Sequence, residues 1–271
     1  MNALFLTPIE ISKAIRDISK TKAAARKSVL FLSGILAGMY IAFGACAAIA
    51  VLSGGTLDAG LAKFLAGSVF SVGLMLVLIP GSELFTGNIL MVIGFVYRKH
   101  SLNRVLRNWT LVYAGNFLGS VAIAWLMFYT GLLNYSGGLT AAGAVAVNIA
   151  ETKIQLGFTE ALCRGILCNM LVCLAVIMCI SSKTVAGKIF GIYFPIMAFV
   201  ASGFEHSIAN MYFLPVGLMI KGEFISNFFT MFNNLIPVTL GNIIGGLSIV
   251  LLHPKTREKI THIFRKKSEK Y

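Results

Sequence analysis

Two stretches decide the fold of this sequence: GSELFTGN at Gly81–Asn88 and GFEHSIAN at Gly203–Asn210. They share the pattern G-x-E-x-x-x-x-N, and each places a carboxylate in the middle of an otherwise apolar segment. A charged side chain at the centre of a bilayer is costly, and irregular backbone is tolerated there only where protein or water satisfies its polar groups. The two motifs therefore predict two broken membrane helices.

The composition predicts that lipid surrounds much of the chain. Hydrophobic residues make up 57% of the 271 residues and charged residues 12%, and the mean hydropathy is +0.84. In soluble domains about 25% of the residues are charged, and a chain with about half that fraction is not expected to be a soluble globule. Apolar runs near the roughly 20 residues that cross a bilayer predict six spans in a domain from 28 to 253. The predicted spans are Ser28–Leu52, the interrupted Phe64–Tyr97, Asn108–Thr130, Gly165–Ser182, the interrupted Ile189–Ile220 and Phe224–Pro254.

A weak internal repeat relates the two halves of the chain. GILAGM at Gly34–Met39 matches GILCNM at Gly165–Met170, and GNFLG at Gly115–Gly119 matches GNIIG at Gly241–Gly245. With the two break motifs, these matches keep one order at offsets of 122 to 131 residues. A repeat of three spans turns its second copy upside down. Inverted repeats with paired broken helices place the substrate path at the membrane midplane.

Basic residues predict the orientation. Nineteen of the 23 Lys and Arg lie before the first span, after the second, between the fourth and fifth, or after the sixth, which is one side of the membrane. The positive-inside rule makes that side cytoplasmic, with both termini inside. The net charge of +13 therefore reflects topology, and nucleic acid is not expected as a partner. The stretch from 131 to 150 is predicted to be an outer loop.

The two ends of the chain are predicted to be cytoplasmic segments. Residues 1–27 are an amphipathic segment, in which Pro8–Lys27 is predicted to form a helix on the inner membrane face, with a plain solvated tail as the alternative, and residues 254–271 form a basic tail. The apolar side of the helix is assigned to Ile9, Ile11, Ile15 and Ile18. The N-terminus shows no apolar core or cleavage site of a signal peptide, which with the short loops favours a bacterial inner membrane.

Several classes of chemistry find no support in the sequence. The 5 cysteines show no CxxC spacing, so neither a disulfide framework nor a metal site is expected. No pair of His, Asp or Glu at metal-ligand spacing and no nucleophile with a base stands out. We therefore expect no cofactor and no enzyme activity.

The candidate site residues cluster at the two breaks. A histidine at membrane depth is a functional candidate, and His206 favours an anion either as a donor or as a cation. Thr86 is the hydroxyl that the repeat places closest to it, although such a hydroxyl can also bond to local backbone. Glu83 and Glu205 are predicted to be structural, accepting backbone N–H groups that the breaks set free, with an acid-base role as the alternative.

Other candidates depend on where a pore runs. Lys153 is nearly alone on the outer side, where it would either concentrate anions at a pore mouth or be a solvated loop residue. Leu74, Leu84 and Phe199 are candidate constrictions, because an apolar ring blocks hydrated ions by dewetting. Isolated residues of this kind are more often part of core packing.

Four stretches resemble the formate/nitrite transporter family: ELFTGN from Glu83, NWTLVYAGNFLG from Asn108, ASGFEHSIANMYFLP from Ala201 and IPVTLGNIIGG from Ile236. The resemblance runs in order over nearly the whole chain. It implies an aquaporin-like fold of six helices with one pore per subunit, and a homopentamer. It also implies that the N-terminal helix gates the inner mouth.

The resemblance also implies roles for individual residues. His206 corresponds to the central histidine, Thr86 to the loop threonine bonded to it, Lys153 to the lysine of the outer vestibule and Asn242 to an asparagine of the substrate pore. The constrictions correspond to Leu74, Phe199, Leu84 and Phe85. One departure concerns the pair after Lys153, which is Ile-Gln here and often a pair of histidines in formate channels.

The sequence thus predicts a membrane channel for small monovalent anions of weak acids, formate first, with nitrite and hydrosulfide as alternatives. In this hypothesis His206, linked to Thr86, neutralises the anion at the midplane by hydrogen bonding or by giving up a proton. The rival from another class is an aquaporin-like pore for neutral solutes. Such pores commonly carry NPA at each break, whereas this chain has TGN and IAN with no proline following.

Overall fold

The computed structural model describes residues 4–135, 138–252, 256 and 261, so the predicted basic tail at 254–271 lies almost entirely outside the described residues. Its helices are α1 (Pro8–Ala24), α2 (Lys27–Leu52), α3 (Ala59–Leu78), α4 (Phe85–Asn88), α5 (Val92–Val96), α6 (Leu102–Tyr129), α7 (Ala141–Ile154), α8 (Phe158–Ser181), α9 (Val185–Ala201), α10 (Ser207–Ile220) and α11 (Phe232–Leu252). The other elements are the 3-10 turns Ile89–Met91 and Phe228–Met231 and an antiparallel ribbon of β1 (Asn134–Tyr135) and β2 (Gly138–Leu139).

Five helical stretches within the described residues are long and apolar enough to cross a membrane. They are α2, α3, α6, α8 and α11 together with the turn before it. The apolar helices α9 and α10 are shorter, with 17 and 14 residues. The chain is therefore an all-helical, multi-pass membrane protein apart from the short ribbon.

Two predicted boundaries are wrong. The outer loop expected between 131 and 150 contains α7, because alanine is the best helix former and Thr140 caps the helix by accepting from the Gly143 N–H at 3.0 Å. Helix α8 begins at Phe158 and not at Gly165. The charged residues that suggested a later start, Glu160 and Arg164, pair with each other one turn apart.

The helices are interrupted around the two motifs. Residues 79–84 separate α3 from α4, and Gly81 among them has φ +96°. Residues 202–206 separate α9 from α10, and Gly203 among them has φ +72°. A positive φ is costly for residues with a Cβ, so glycine suits both corners. Each interruption leaves backbone polar groups outside a helix.

Glycines bring two pairs of helices into backbone contact. A Cβ on Gly34 of α2 would lie 3.0 Å from the Val112 carbonyl oxygen of α6, and a Cβ on Gly165 of α8 would lie 2.8 Å from the Val238 carbonyl oxygen of α11. Small residues at such crossings are typical of membrane helix interfaces. The crossing of α2 with α6 therefore has a counterpart in the crossing of α8 with α11.

Helix α1 packs across one end of the bundle, against α5, α6 and α8. It begins with a capping box in which the Thr7 N–H donates to Glu10 and lowers the pKa of that carboxyl. Its buried residues are Ser12, Ile15, Ser19 and Ala23. The single apolar face predicted for the isoleucines is wrong, because at 100° per residue Ile9 lies opposite Ile18, and Ile9 is 68% exposed.

Replacing Gly165 with alanine tests the close crossing of α8 with α11. Because the new Cβ meets backbone, the helices have to separate, and we expect the variant to lose roughly 1–3 kcal/mol of stability. Thermal unfolding in detergent, followed by tryptophan fluorescence, measures the loss. The control is Gly157→Ser at the start of α8, where a Cβ meets nothing within 4 Å. Equal stability of the two variants would contradict the packing account.

Candidate functional site

His206 and Thr86 meet in the interior, one from each interruption. The His206 Nε2 lies 2.8 Å from the Thr86 Oγ1, and both side chains are buried. His206 also caps α10, because its Nδ1 accepts the Ala209 N–H at 3.2 Å. An accepting Nδ1 carries no proton, so a neutral ring holds its proton on Nε2 and donates it to Thr86. The Thr86 oxygen accepts this bond, which leaves its own proton available for another acceptor.

Asn116 of α6 bridges the first interruption. Its Oδ1 accepts the Phe85 N–H at 3.0 Å, and its Nδ2 donates to the carbonyl oxygens of Gly34 and Glu83 at 2.7 and 3.0 Å. One amide thus satisfies an N–H at the start of α4 and two carbonyl groups on separate segments. The side chain has no exposed surface, so these bonds replace the water that the membrane interior excludes.

Asn242 of α11 makes the same three bonds at the second interruption. Its Oδ1 accepts the Ser207 N–H at 2.9 Å, and its Nδ2 donates to the carbonyl oxygens of Gly165 and Glu205 at 2.8 and 2.9 Å. Each of these residues lies 122 to 131 positions after its counterpart around Asn116. Both amide protons are used, so Asn242 has no donor left for a substrate and positions the backbone beside the site.

Glu83 binds side chains and not the freed backbone. Its Oε2 accepts from the Lys22 Nζ at 2.8 Å and from the Asn88 Nδ2 at 2.6 Å, and the same Asn88 nitrogen lies 2.8 Å from the Asn108 Oδ1. The prediction that the two glutamates accept N–H groups freed at the breaks is wrong. An asparagine suits that task better, because it offers an acceptor and two donors where a carboxylate offers only acceptors.

Glu205 has the corresponding surroundings at the second interruption. Its Oε1 accepts from the Lys153 Nζ at 2.7 Å, and its Oε2 accepts from the Asn210 Nδ2 at 2.6 Å. Asn210 also donates to the Asn234 Oδ1 at 2.7 Å. Lys153 lies near the end of α7 with its side chain 15% exposed, so it is an ion-pair partner and not a solvated loop residue.

Sequence reasoning missed five polar residues of these networks: Lys22, Asn88, Asn108, Asn210 and Asn234. Among these residues, Lys22 enters the prediction from sequence only as one of the basic residues that indicate orientation. The two asparagines at the ends of the repeated motifs offered a signal, because a polar side chain inside an uncharged apolar segment needs a partner. The choice of partner depends on how α1 and α7 pack, which no local pattern encodes.

The predicted constriction residues occupy two different places. All four are almost fully buried, with 1% of Leu74, 2% of Leu84, 3% of Phe199 and 4% of Phe85 exposed. The Phe199 ring centroid lies 5.9 Å from that of His206, so this phenyl ring adjoins the central pair. Phe85 instead packs edge-on against Tyr113, with centroids 4.9 Å apart, and lines a groove between α6 and α11.

A cavity of about 530 Å³ lies beside the first interruption, on the side where α1 packs. Helix α1 contributes Ile15, Ile18 and Lys22 to its wall. Glu83 and Leu84 form part of the wall on the interrupted segment. The cavity therefore reaches the residue immediately before α4, whose second residue is Thr86.

Removing the Asn242 amide tests the bridge across the second interruption. Asn242→Ala leaves one N–H and two carbonyl groups without their partner, and we expect a loss of roughly 1–3 kcal/mol. Asn148→Ala, an exposed asparagine of α7, is the control and should unfold near the wild-type temperature. Thermal unfolding in detergent compares them. An unfolding temperature of Asn242→Ala close to that of wild type would show that the bridge contributes little to stability.

A double-mutant cycle tests the ion pair of Lys153 with Glu205. Lys153→Met leaves a buried carboxylate without its cation, and we expect a loss of roughly 3–5 kcal/mol. Adding Glu205→Gln removes the unpaired charge and should restore more than half of that loss. The free energy of unfolding of the four proteins gives the coupling. Additive losses would contradict the pairing.

Comparison with known proteins places the chain among transport proteins. A family model described as formate/nitrite transporter matches residues 9–254. A probable formate transporter of Methanothermobacter thermautotrophicus is 45% identical over 266 residues, covering 92% of this chain and 96% of that protein. The formate channel FocA of Haemophilus influenzae is 37% identical over 270 residues, covering 91% of this chain and 92% of that protein.

Two solved structures share the fold. A pentameric formate channel with formate bound matches with a TM-score of 0.72 and 35% identity, covering 83% of this chain and 95% of that one. An FNT family ion channel matches with a TM-score of 0.79 and 28% identity, covering 90% of this chain and 97% of that one. Both matches therefore cover most of this chain.

Proposed function

Because the chain belongs to the formate/nitrite transporter family, we propose that it is a membrane channel for formate. The relatives described above carry formate in their names, which favours this anion over nitrite and hydrosulfide. Formate is small, singly charged and the anion of a weak acid. The observation that carries the proposal is the buried hydrogen bond between His206 and Thr86.

The architecture that we propose is an inverted repeat of six membrane segments, aquaporin-like, in which the second and fifth are broken. The matched bonds of Asn116 and Asn242 support it, because both asparagines tie the same three kinds of backbone group. The second segment comprises α3 to α5, and the fifth comprises α9 and α10. The domain extends from 28 to 253, with cytoplasmic segments at 1–27 and 254–271.

The asymmetry between the two halves supports the position of the site. In the repeat, Leu84 corresponds to His206 and Thr86 corresponds to Ile208. At each of these two positions, one half therefore has a polar residue and the other half has an apolar residue. Neither His206 nor Thr86 is needed by the symmetric bridges. In the proposed pore this polar contact lies between the apolar side chains Leu84 and Phe199, which serve as constrictions together with Leu74. The ring centroids of Phe199 and His206, 5.9 Å apart, support this arrangement.

Hydrogen bonding is the mode of stabilisation that the geometry favours. The His206 ring donates Nε2–H to Thr86, and Thr86 donates its hydroxyl proton to formate as the anion passes. A full proton transfer along this chain would leave an anionic ring buried in the apolar interior, which is costly. A charge-assisted hydrogen bond offsets part of the dehydration of formate without that charge.

The remaining residues hold this pair in place. Glu83 and Glu205 are structural anions, each neutralised by one lysine, and Asn242 fixes the start of α10 beside His206. Lys153 attracts anions at the outer mouth with the part of its field that Glu205 leaves unscreened. The pentamer with formate bound in a solved relative supports a homopentamer here. We place the protein in the inner membrane of the cell with both termini on the cytoplasmic side, which the distribution of the basic residues supports.

Substitution of Thr86 tests the proposed donor. Thr86→Val keeps the shape and removes the hydroxyl, and we expect formate flux to fall about tenfold or more, because a hydrogen bond to a charged group contributes roughly 1.5–3 kcal/mol. Thr86→Ser should retain most of the flux. Flux into proteoliposomes at fixed pH, measured by stopped-flow scattering, gives the comparison.

The control is Thr110→Val, an exposed threonine of α6 that should leave flux unchanged. Wild-type flux by Thr86→Val would contradict the role of the hydroxyl. Glycerol tested in the same vesicles addresses the rival class, since rapid glycerol flux without formate flux would identify a pore for neutral solutes.

A further inference from the structure

The cavity beside the first interruption is lined by a charged residue that has no role in the proposed transport site. Three charged residues line it: Lys22, Glu83 and Lys188. We propose that this cavity is an anion-collecting vestibule for small hydrated carboxylates and that Lys188 supplies its effective charge. The inference rests on the proposed formate channel and adds to it the residue that draws anions to the side where α1 packs.

The charge balance of the cavity wall points to Lys188. Lys22 cannot serve as the free cation, because its ammonium lies 2.8 Å from both Glu83 and Asn88. In the described part of the chain no carboxylate forms an ion pair with Lys188. The charges of Lys22 and Glu83 offset each other, so the wall keeps one net positive charge, at Lys188.

The lysine of the outer side, Lys153, does form an ion pair. Lys153 is bound to Glu205 at 2.7 Å with only 15% of its side chain exposed. Most of the charge of Lys153, which the sequence suggested as an anion collector, is thus offset by Glu205, whereas Lys188 has no carboxylate partner among the described residues and keeps its full charge. The two faces of the protein therefore differ, with the stronger attraction on the side of α1.

The place of Lys188 within its helix argues against a purely structural role. It lies in the first turn of α9, which begins at Val185. The N-terminus of a helix carries a partial positive charge, so a lysine there is electrostatically unfavourable for the helix. The same two positive contributions add together in the cavity, where they attract an anion.

The size and the walls of the cavity suit this task. A volume of about 530 Å³ holds on the order of ten or more waters at roughly 30 Å³ each, so formate arrives hydrated and larger monocarboxylates also fit. Much of the wall is apolar: Ile15, Ile18, Val77, Leu78, Leu90 and Val176. Low-dielectric walls focus the field of a charge into the cleft between them. The constrictions, and not the vestibule, would then select among carboxylates by size.

Salt dependence separates an electrostatic role from a structural one. At low ionic strength, about 10 mM, where the Debye length is about 30 Å, we expect Lys188→Gln to lower formate flux about two- to fivefold. At about 1 M salt, where the Debye length is about 3 Å, the variant should approach wild type. Lys188→Arg should behave as wild type at both. Lys183→Gln, an exposed lysine one turn earlier that does not line the cavity, is the matched control and should change flux little.

A second measurement keeps the fold constant. In Lys188→Cys, an aminoethyl thiol adduct restores a positive charge and should raise flux, and a sulfonatoethyl adduct adds a negative charge and should lower it. Wild type treated in the same way controls for Cys179, which lines the cavity, and for the exposed Cys163. Opposite effects of the two adducts support the vestibule.

The outcomes distinguish this inference from the function on which it rests. If wild type fails to conduct formate, the proposed channel function is wrong. If wild type conducts, but Lys188→Gln keeps full flux at low salt or loses it equally at both salt concentrations, the channel remains and the vestibule role of Lys188 is overturned.

Discussion

The structure depends on one constraint, which is that backbone polar groups freed inside a membrane protein need partners within the protein. The chain leaves the helical conformation at residues 79–84 and 202–206, and at each of these places one asparagine from a neighbouring helix accepts an N–H and donates to two carbonyl groups. Close crossings through Gly34 and Gly165 bring the helices near enough for these bonds. With the interruptions satisfied in this way, side chains at the breaks are available for transport.

In the proposed mechanism, function arises where the two halves differ. The asparagine bridges and the lysine–glutamate pairs have counterparts in both halves and serve as scaffold. His206 and Thr86 have apolar counterparts and meet each other at 2.8 Å. The two lysines also correspond, because Lys153 lies 131 positions after Lys22, the offset that relates Gly165 to Gly34. Because Lys22 belongs to α1, the inner network is complete only when α1 is docked.

The sequence predicts the features that membrane burial imposes on composition, such as long apolar runs. It does not predict which distant segments contact each other. The all-helical membrane class could be predicted because long apolar runs with so little charge have few other solutions. Helix α7 was missed because an uncharged stretch rich in Gly and Ala shows no periodicity that separates helix from loop. The partners of Glu83 and Glu205 were missed because the freed N–H groups suggested carboxylates as acceptors, whereas the asparagines that accept them, Asn116 and Asn242, lie 31 and 35 positions away along the chain. The pairing of Lys22 depends on the packing of α1.

The central claim is that neutral His206 acts through Thr86 as a hydrogen-bond donor to the anion. Nitrogen-15 NMR of histidine-labelled protein tests it directly, because the chain has only 4 histidines and His206→Asn identifies the signal. The account predicts a neutral ring with its proton on Nε2, with and without formate, and a shift of the Nε2 signal when formate binds. A doubly protonated ring in the presence of formate, or a signal that formate leaves unchanged, would contradict it.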